Sequence, residues 1–114
     1  MSKRNCMVAG VVIQTDGRIR AGNFDYQRMV DEVGGFLEVI RFGDGVAYLN
    51  EDGKGLQLPY NQKATELALR LSVSLHEGDV IVGNVVVVGD IDDDGNDTDI
   101  SDAMALLLLR EGQP

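Results

Sequence analysis

The chain has 114 residues, 44% of them hydrophobic, with only 2 Pro and 14 Gly, which excludes a disordered segment and fits one globular domain with one core. Its 19 acidic and 10 basic residues give a net charge of -9, so direct electrostatic binding to a phosphate backbone is not expected. A basic protein partner, or imitation of nucleic acid, fits that charge better. The single cysteine, Cys6, excludes an internal disulfide.

The N-terminus, Met1-Ser2-Lys3-Arg4, is basic, but the apolar segment behind it is broken by Gly10 and Gln14. It is too short for a membrane span and has no signal-cleavage pattern, so a cytoplasmic protein is expected. Residues 6–13 are almost continuously apolar and β-branched, the pattern of a strand buried on both faces, with Cys6 as an inert packing residue. Asp16-Gly17 predicts a two-residue hairpin turn into a return strand over 18–21. Asn23 is the expected N-cap of a short amphipathic helix, because Tyr26, Met29, Val30 and Val33 share one face; Gly34-Gly35 ends it.

Residues 36–42 form a second clear strand, which Asp44-Gly45 turns back into a strand over 46–49. Residues 50–55 read as a polar turn, with a short edge strand over 56–58 before Pro59. Ala64, Leu67, Ala68, Leu71 and Leu75 then share a helical face, with Glu66 and Arg70 paired on the outside. His76-Glu77-Gly78-Asp79 is a loop. Residues 80–82 and 85–88, separated by Gly83-Asn84, form either a hairpin or one long strand with a glycine irregularity. Ser101 caps a last helix over 102–110.

Strands outnumber helices and return through tight turns. The expected class is therefore α+β: a single domain, 1–114, with a mixed, mainly antiparallel sheet and two or three packed helices.

Residues 90–101, "DIDDDGNDTDIS", hold six aspartates in twelve positions. Setting Gly95 at position 6 of a calcium loop puts Asp90, Asp92 and Asp94 at positions 1, 3 and 5. Position 12, however, is Ser101, which cannot supply two carboxylate oxygens, and position 8 is Asp97. The segment is read as a charged structural turn, with Asp99 and Asp102 favouring the N-terminus of the last helix. Calcium binding is the alternative.

Other chemistry is missing from the sequence. His76 and Cys6 are far apart, so there is no zinc spacing. Ser72 and Ser74 lie in an apolar helix end and not in a nucleophile elbow, and Gly53-Lys54-Gly55 is too short for a phosphate loop. Asp31-Glu32 and Asn50-Glu51-Asp52 read as ordinary surface pairs, and His76 as an exposed loop residue. The expectation is a protein that is not an enzyme, with no catalytic residues, no cofactor and no metal.

The string "VGGFLEVIRFGDGVAYLNEDGKGLQLPYNQKAT" (residues 33–65), followed by "GDVIVGNVVVVGD" (residues 78–90), resembles the domain-of-unknown-function family 3846. The matching features are Gly34-Gly35 before a strand, Glu38 within it, Leu58-Pro59 with Asn61 and Ala64, and the strand running to Gly83. Family members are small proteins of bacteriophages, especially those of actinobacteria, and of mobile elements. The resemblance implies a phage-encoded accessory protein that works in the bacterial cytoplasm by binding a host component.

The last helix shows where such binding would occur. Ala103, Met104, Ala105, Leu106, Leu107, Leu108 and Leu109 are apolar on every side, more than a short helix can bury in a small domain. A protein partner or self-association is expected there. An acidic DNA mimic is a further reading, opposed by the bunching of the aspartates in one loop. A small-molecule binder is neither favoured nor excluded.

Overall fold

Valines in sequence sort to opposite faces of one sheet. The computed structural model describes residues 7–71 and 80–112. In β1 (Val8–Ile13), Val11 and Ile13 face one core while Val12 faces another. In β5 (Val85–Val88), Val85 and Val87 join the first core, and Val86 and Val88 the second. This is the period-2 alternation of a strand with both faces covered. All four β5 valines have no exposed surface; burying each contributes roughly 1.5–3 kcal/mol.

The other strands are β2 (Ile19–Phe24), β3 (Leu37–Phe42) and β4 (Gly45–Asn50). The five-stranded sheet has the order β2-β1-β5-β4-β3, with every pairing antiparallel. The expected α+β class is therefore observed, with a sheet antiparallel throughout and not mixed. Two hairpins, β1-β2 and β3-β4, are joined by β5, the last strand in sequence, which lies between β1 and β4.

Three helices cover the sheet. α1 (Tyr26–Val33) lies over the face holding Val12, Val46, Val86 and Val88, and contacts β2, β3, β4 and β5. α2 (Gln62–Arg70) and α3 (Asp102–Glu111) cover the opposite face with Ala64, Leu67, Ala68, Met104 and Leu108. The result is a three-layer sandwich with two cores.

Several local expectations change. The first hairpin has a longer loop than Asp16-Gly17 predicts: Ile13 pairs with Ile19, and Gln14 N donates to Arg18 O at 2.8 Å. Gly17 N donates to Gln14 O, and Gly17 has φ +90°, so a type I turn is closed by a left-handed glycine. The helix cap is Asp25, whose carboxylate accepts from Arg28 N at 2.9 Å; Asn23 remains inside β2. Asp25 wins because β2 runs on to Phe24, two residues past Gly22. On α1, Met29 and Val33 are buried, but Tyr26 is exposed; Gly34 ends the helix with φ +81°, as expected.

The two turn residues between β3 and β4 are Gly43-Asp44, with Phe42 opposite Gly45. Gly43 takes φ +63° and Asp44 does not take positive φ, the pattern of a II′ turn, which needs glycine first. No edge strand forms over 56–58: residues 51–57 are turns, and Gln57 itself takes φ +56°. Tyr60 instead bridges Val82, and Gly83 at φ +78° separates that bridge from β5. Neither expected form is observed: residues 80–82 make only this isolated bridge, and the strand proper is β5. Glu66 accepts from Gln62, and Arg70 pairs with Glu111, so the expected Glu66–Arg70 pair is absent. The readings of Cys6, Ser72, Ser74, Leu75, His76 and the 76–79 loop lie outside the described residues.

Candidate functional site

α3 begins where two elements meet. Ser101 Oγ accepts from Met104 N at 3.1 Å, the expected cap, and donates to Asp44 Oδ2 at 2.8 Å. The helix is thus tied to the β3–β4 turn. Asp102 in its first turn and Arg110 in its last both suit the helix dipole. Met104 and Leu108, four residues apart, enter the core, and Ala105 and Leu109 pack at its margin.

The remaining side is exposed. Ala103, Leu106, Leu107 and Arg110 fall at i, i+3, i+4 and i+7, and Leu106 and Leu107 are 62% and 41% exposed. The all-round apolar pattern therefore resolves into an inner face that packs and an outer stripe that does not. A groove of about 460 Å³ runs beside it, lined by Arg70, Ala103, Leu106, Leu107, Arg110 and Glu111. Arg70 Nη2 lies 2.7 Å from Glu111 Oε1 and Lys63 Nζ 3.9 Å from the same oxygen, which joins α2 to the end of α3 along the groove. Arg110 has no ion pair among the described residues. An apolar stripe with cations at its margin is an unusual patch on a chain of net charge -9.

The aspartate stretch is a closed loop. Gly89 N donates to Thr98 O at 2.9 Å and Thr98 Oγ1 to Asp90 O at 2.5 Å, which pinches its neck. At its tip, Asp92 Oδ1 accepts from Asp94 N and Asn96 N, and Gly95 is left-handed. Asp90 pairs with Arg41 Nη2 at 3.1 Å and accepts from Ile91 N. Asp90, Asp92 and Asp94 thus do not converge, and among the described residues no three His, Cys, Asp or Glu side chains form a group that could hold a metal. Asp99 Oδ1 accepts from Ala9 N at 2.8 Å, continuing the edge of β1 where β5 has ended.

Asp97 has a role the sequence reading missed. Its Oδ1 accepts from Tyr48 Oη at 2.5 Å, anchoring the loop to β4. Burial pushes the Tyr48 hydroxyl well above the usual tyrosine range, and the hydrogen bond and negative charge of Asp97 push it further. The folded state therefore favours neutral Tyr48. Its contribution is complete below the ordinary tyrosine pKa of about 10 and is lost as pH rises past that value. Tyr48→Phe should cost about 1–2 kcal/mol at neutral pH, since Asp97 is half solvated. It should also flatten the alkaline fall in stability, as measured by urea unfolding between about pH 8 and 11.

The second cleft, about 280 Å³, lies between β2 and α1 and is lined by Arg20, Gly22, Asn23, Phe24, Arg28, Asp31 and Glu32. Glu32 is paired with Arg20 and Asp31 accepts from Gln27, so the acidic pair of α1 is engaged on its own surface. In the other acidic segment, buried Asn50 donates to Val33 O at 3.1 Å and accepts from Asp52 N. Among the described residues no helix is long and apolar enough to cross a membrane.

No curated protein and no solved structure matches the chain. The family described as "Domain of unknown function (DUF3846)" matches residues 8–111, from the first residue of β1 to the last of α3. The match spans all five strands and all three helices, and the chain belongs to that family.

Proposed function

We propose that the chain is a non-catalytic interaction module, a phage-type accessory protein of the bacterial cytoplasm that acts by contact with another protein chain through the outer face of α3. The observation that carries this reading is the exposed stripe of Ala103, Leu106 and Leu107 beside the 460 Å³ groove. The helix backbone that carries these side chains is already ordered, so covering them costs only their own rotamer freedom. The charged groups described above mostly engage neighbours on their own surface: Arg20 with Glu32, Arg41 with Asp90, and Asp97 with the neutral Tyr48 hydroxyl. Such pairs serve the fold and leave recognition to shape and apolar area.

A photo-crosslinking residue in place of Leu106, introduced in cells that produce the protein, tests the reading. The expected result is a protein adduct at this position that disappears when Leu107→Asp is added, with none from the same residue in place of Asp93. Adduct formation no greater at Leu106 than at Asp93 would refute it.

A further inference from the structure

The outer face of α3 is complementary to itself, and from this we infer that its occupant is a second copy of the chain, packed with the two α3 helices antiparallel about a two-fold axis. The inference rests on the interaction-module reading and specifies the partner. The stripe Ala103, Leu106, Leu107, Arg110 is centred between Leu106 and Leu107. In an antiparallel pair about that centre, Leu106 of each copy lies opposite Leu107 of the other. Arg110 lies opposite Ala103, the smallest side chain of the stripe. A two-fold contact of this kind uses one patch twice and closes on itself.

Charge fits the same register. Asp102 is one residue from Ala103, a rise of about 1.5 Å and a turn of about 100°, so it borders the stripe, and the long Arg110 side chain crossing over Ala103 of the other copy can turn aside to reach it. Asp102 is exposed in the first turn of α3, and Arg110 is exposed in its last turn without an ion pair among the described residues. Two identical Arg110–Asp102 contacts would flank a centre of four leucines. The groove beside the stripe supplies space for the partner's leucines. Antiparallel helices also set opposite dipole ends side by side. The contact is one helix face wide, below the standard size of stable interfaces, so the expected dimer is weak, with Kd on the order of 10–100 μM.

Sedimentation equilibrium of the whole chain tests this. The wild type should move from monomer to dimer across that range, and L106D should weaken the dimer at least about thirtyfold. R110E and D102R alone should each weaken it. An equimolar mixture of R110E and D102R should restore it as a heterodimer, because both flanking contacts then pair opposite charges again. Far-ultraviolet circular dichroism of each variant separates lost association from lost folding. A wild type that stays monomeric up to about 1 mM, or a mixture no tighter than either variant alone, overturns the dimer. In that case an adduct at Leu106 to a different chain keeps the interaction-module reading, and no adduct at all removes both.

Discussion

Asn61→Ala is expected to destabilise the protein by about 3–5 kcal/mol, seen as a lower urea midpoint with an unchanged slope. Asn61 is fully buried, and its side chain makes three hydrogen bonds to separate parts of the fold. Nδ2 donates to Ile13 O at the end of β1 (2.9 Å) and to Gly83 O ahead of β5 (2.8 Å). Oδ1 caps α2 by accepting from Ala64 N at 3.0 Å. Alanine leaves two carbonyls and one amide buried without partners, at roughly 1–3 kcal/mol each, partly offset by relaxation and water entry. The backbone of Asn61 adds to the junction: its N donates to Ile81 O, its O accepts from Thr65, and Thr65 Oγ1 accepts from Ile81 N. Asn61→Asp separates the components. It keeps the capping oxygen but turns a carboxylate toward two carbonyl oxygens, so the folded state favours its protonated form and raises its pKa above the unfolded value of about 3.9. The variant should therefore be least impaired below that pH and lose stability as pH rises through it. A variant equally impaired at pH 3 and pH 7 would show that the carboxylate is not held against the two carbonyl oxygens.

Asn61 also shows where sequence reading stops. An asparagine three residues before Ala64 at the head of a periodic apolar segment is a cap signal, and it is visible in the sequence. That the same amide also satisfies Ile13 and Gly83, 48 and 22 residues away, is not, because the contacts exist only once β5 inserts between the hairpins. The β-branched runs and the glycine stops predict β1, β4 and β5 within a residue or two, since burial on two faces leaves a local composition. The first turn is less legible. Asp16-Gly17 suits either loop length, and strand register, set by Ile13 against Ile19, decides between them. Tyr48–Asp97 joins residues 49 apart and carries no local signature. The α3 stripe is half legible: seven apolar residues in a row announce an excess, but which side stays uncovered depends on where the sheet lies.

That dependence makes two leucines of α3, two positions apart, behave differently. Leu108 has no exposed surface and packs in the core with Met104, whereas Leu106 is 62% exposed. Leu108→Ala should cost roughly 2–5 kcal/mol, the transfer term plus the cavity left under a helix that Ser101 and Glu111 hold in place at both ends. Leu106→Ala should change the stability of the monomer by no more than about 0.5 kcal/mol. Both are measured by urea unfolding at low protein concentration. Repeating the measurement at high concentration connects the fold to the proposed contact: dimerisation adds stability by mass action, and a weak dimer adds little until concentration exceeds its Kd. The wild type should therefore gain stability with concentration while Leu106→Ala does not, and Leu108→Ala should stay impaired throughout. If Leu106→Ala were as costly as Leu108→Ala in the dilute monomer, the stripe would be core and not surface, and α3 could not be the contact face.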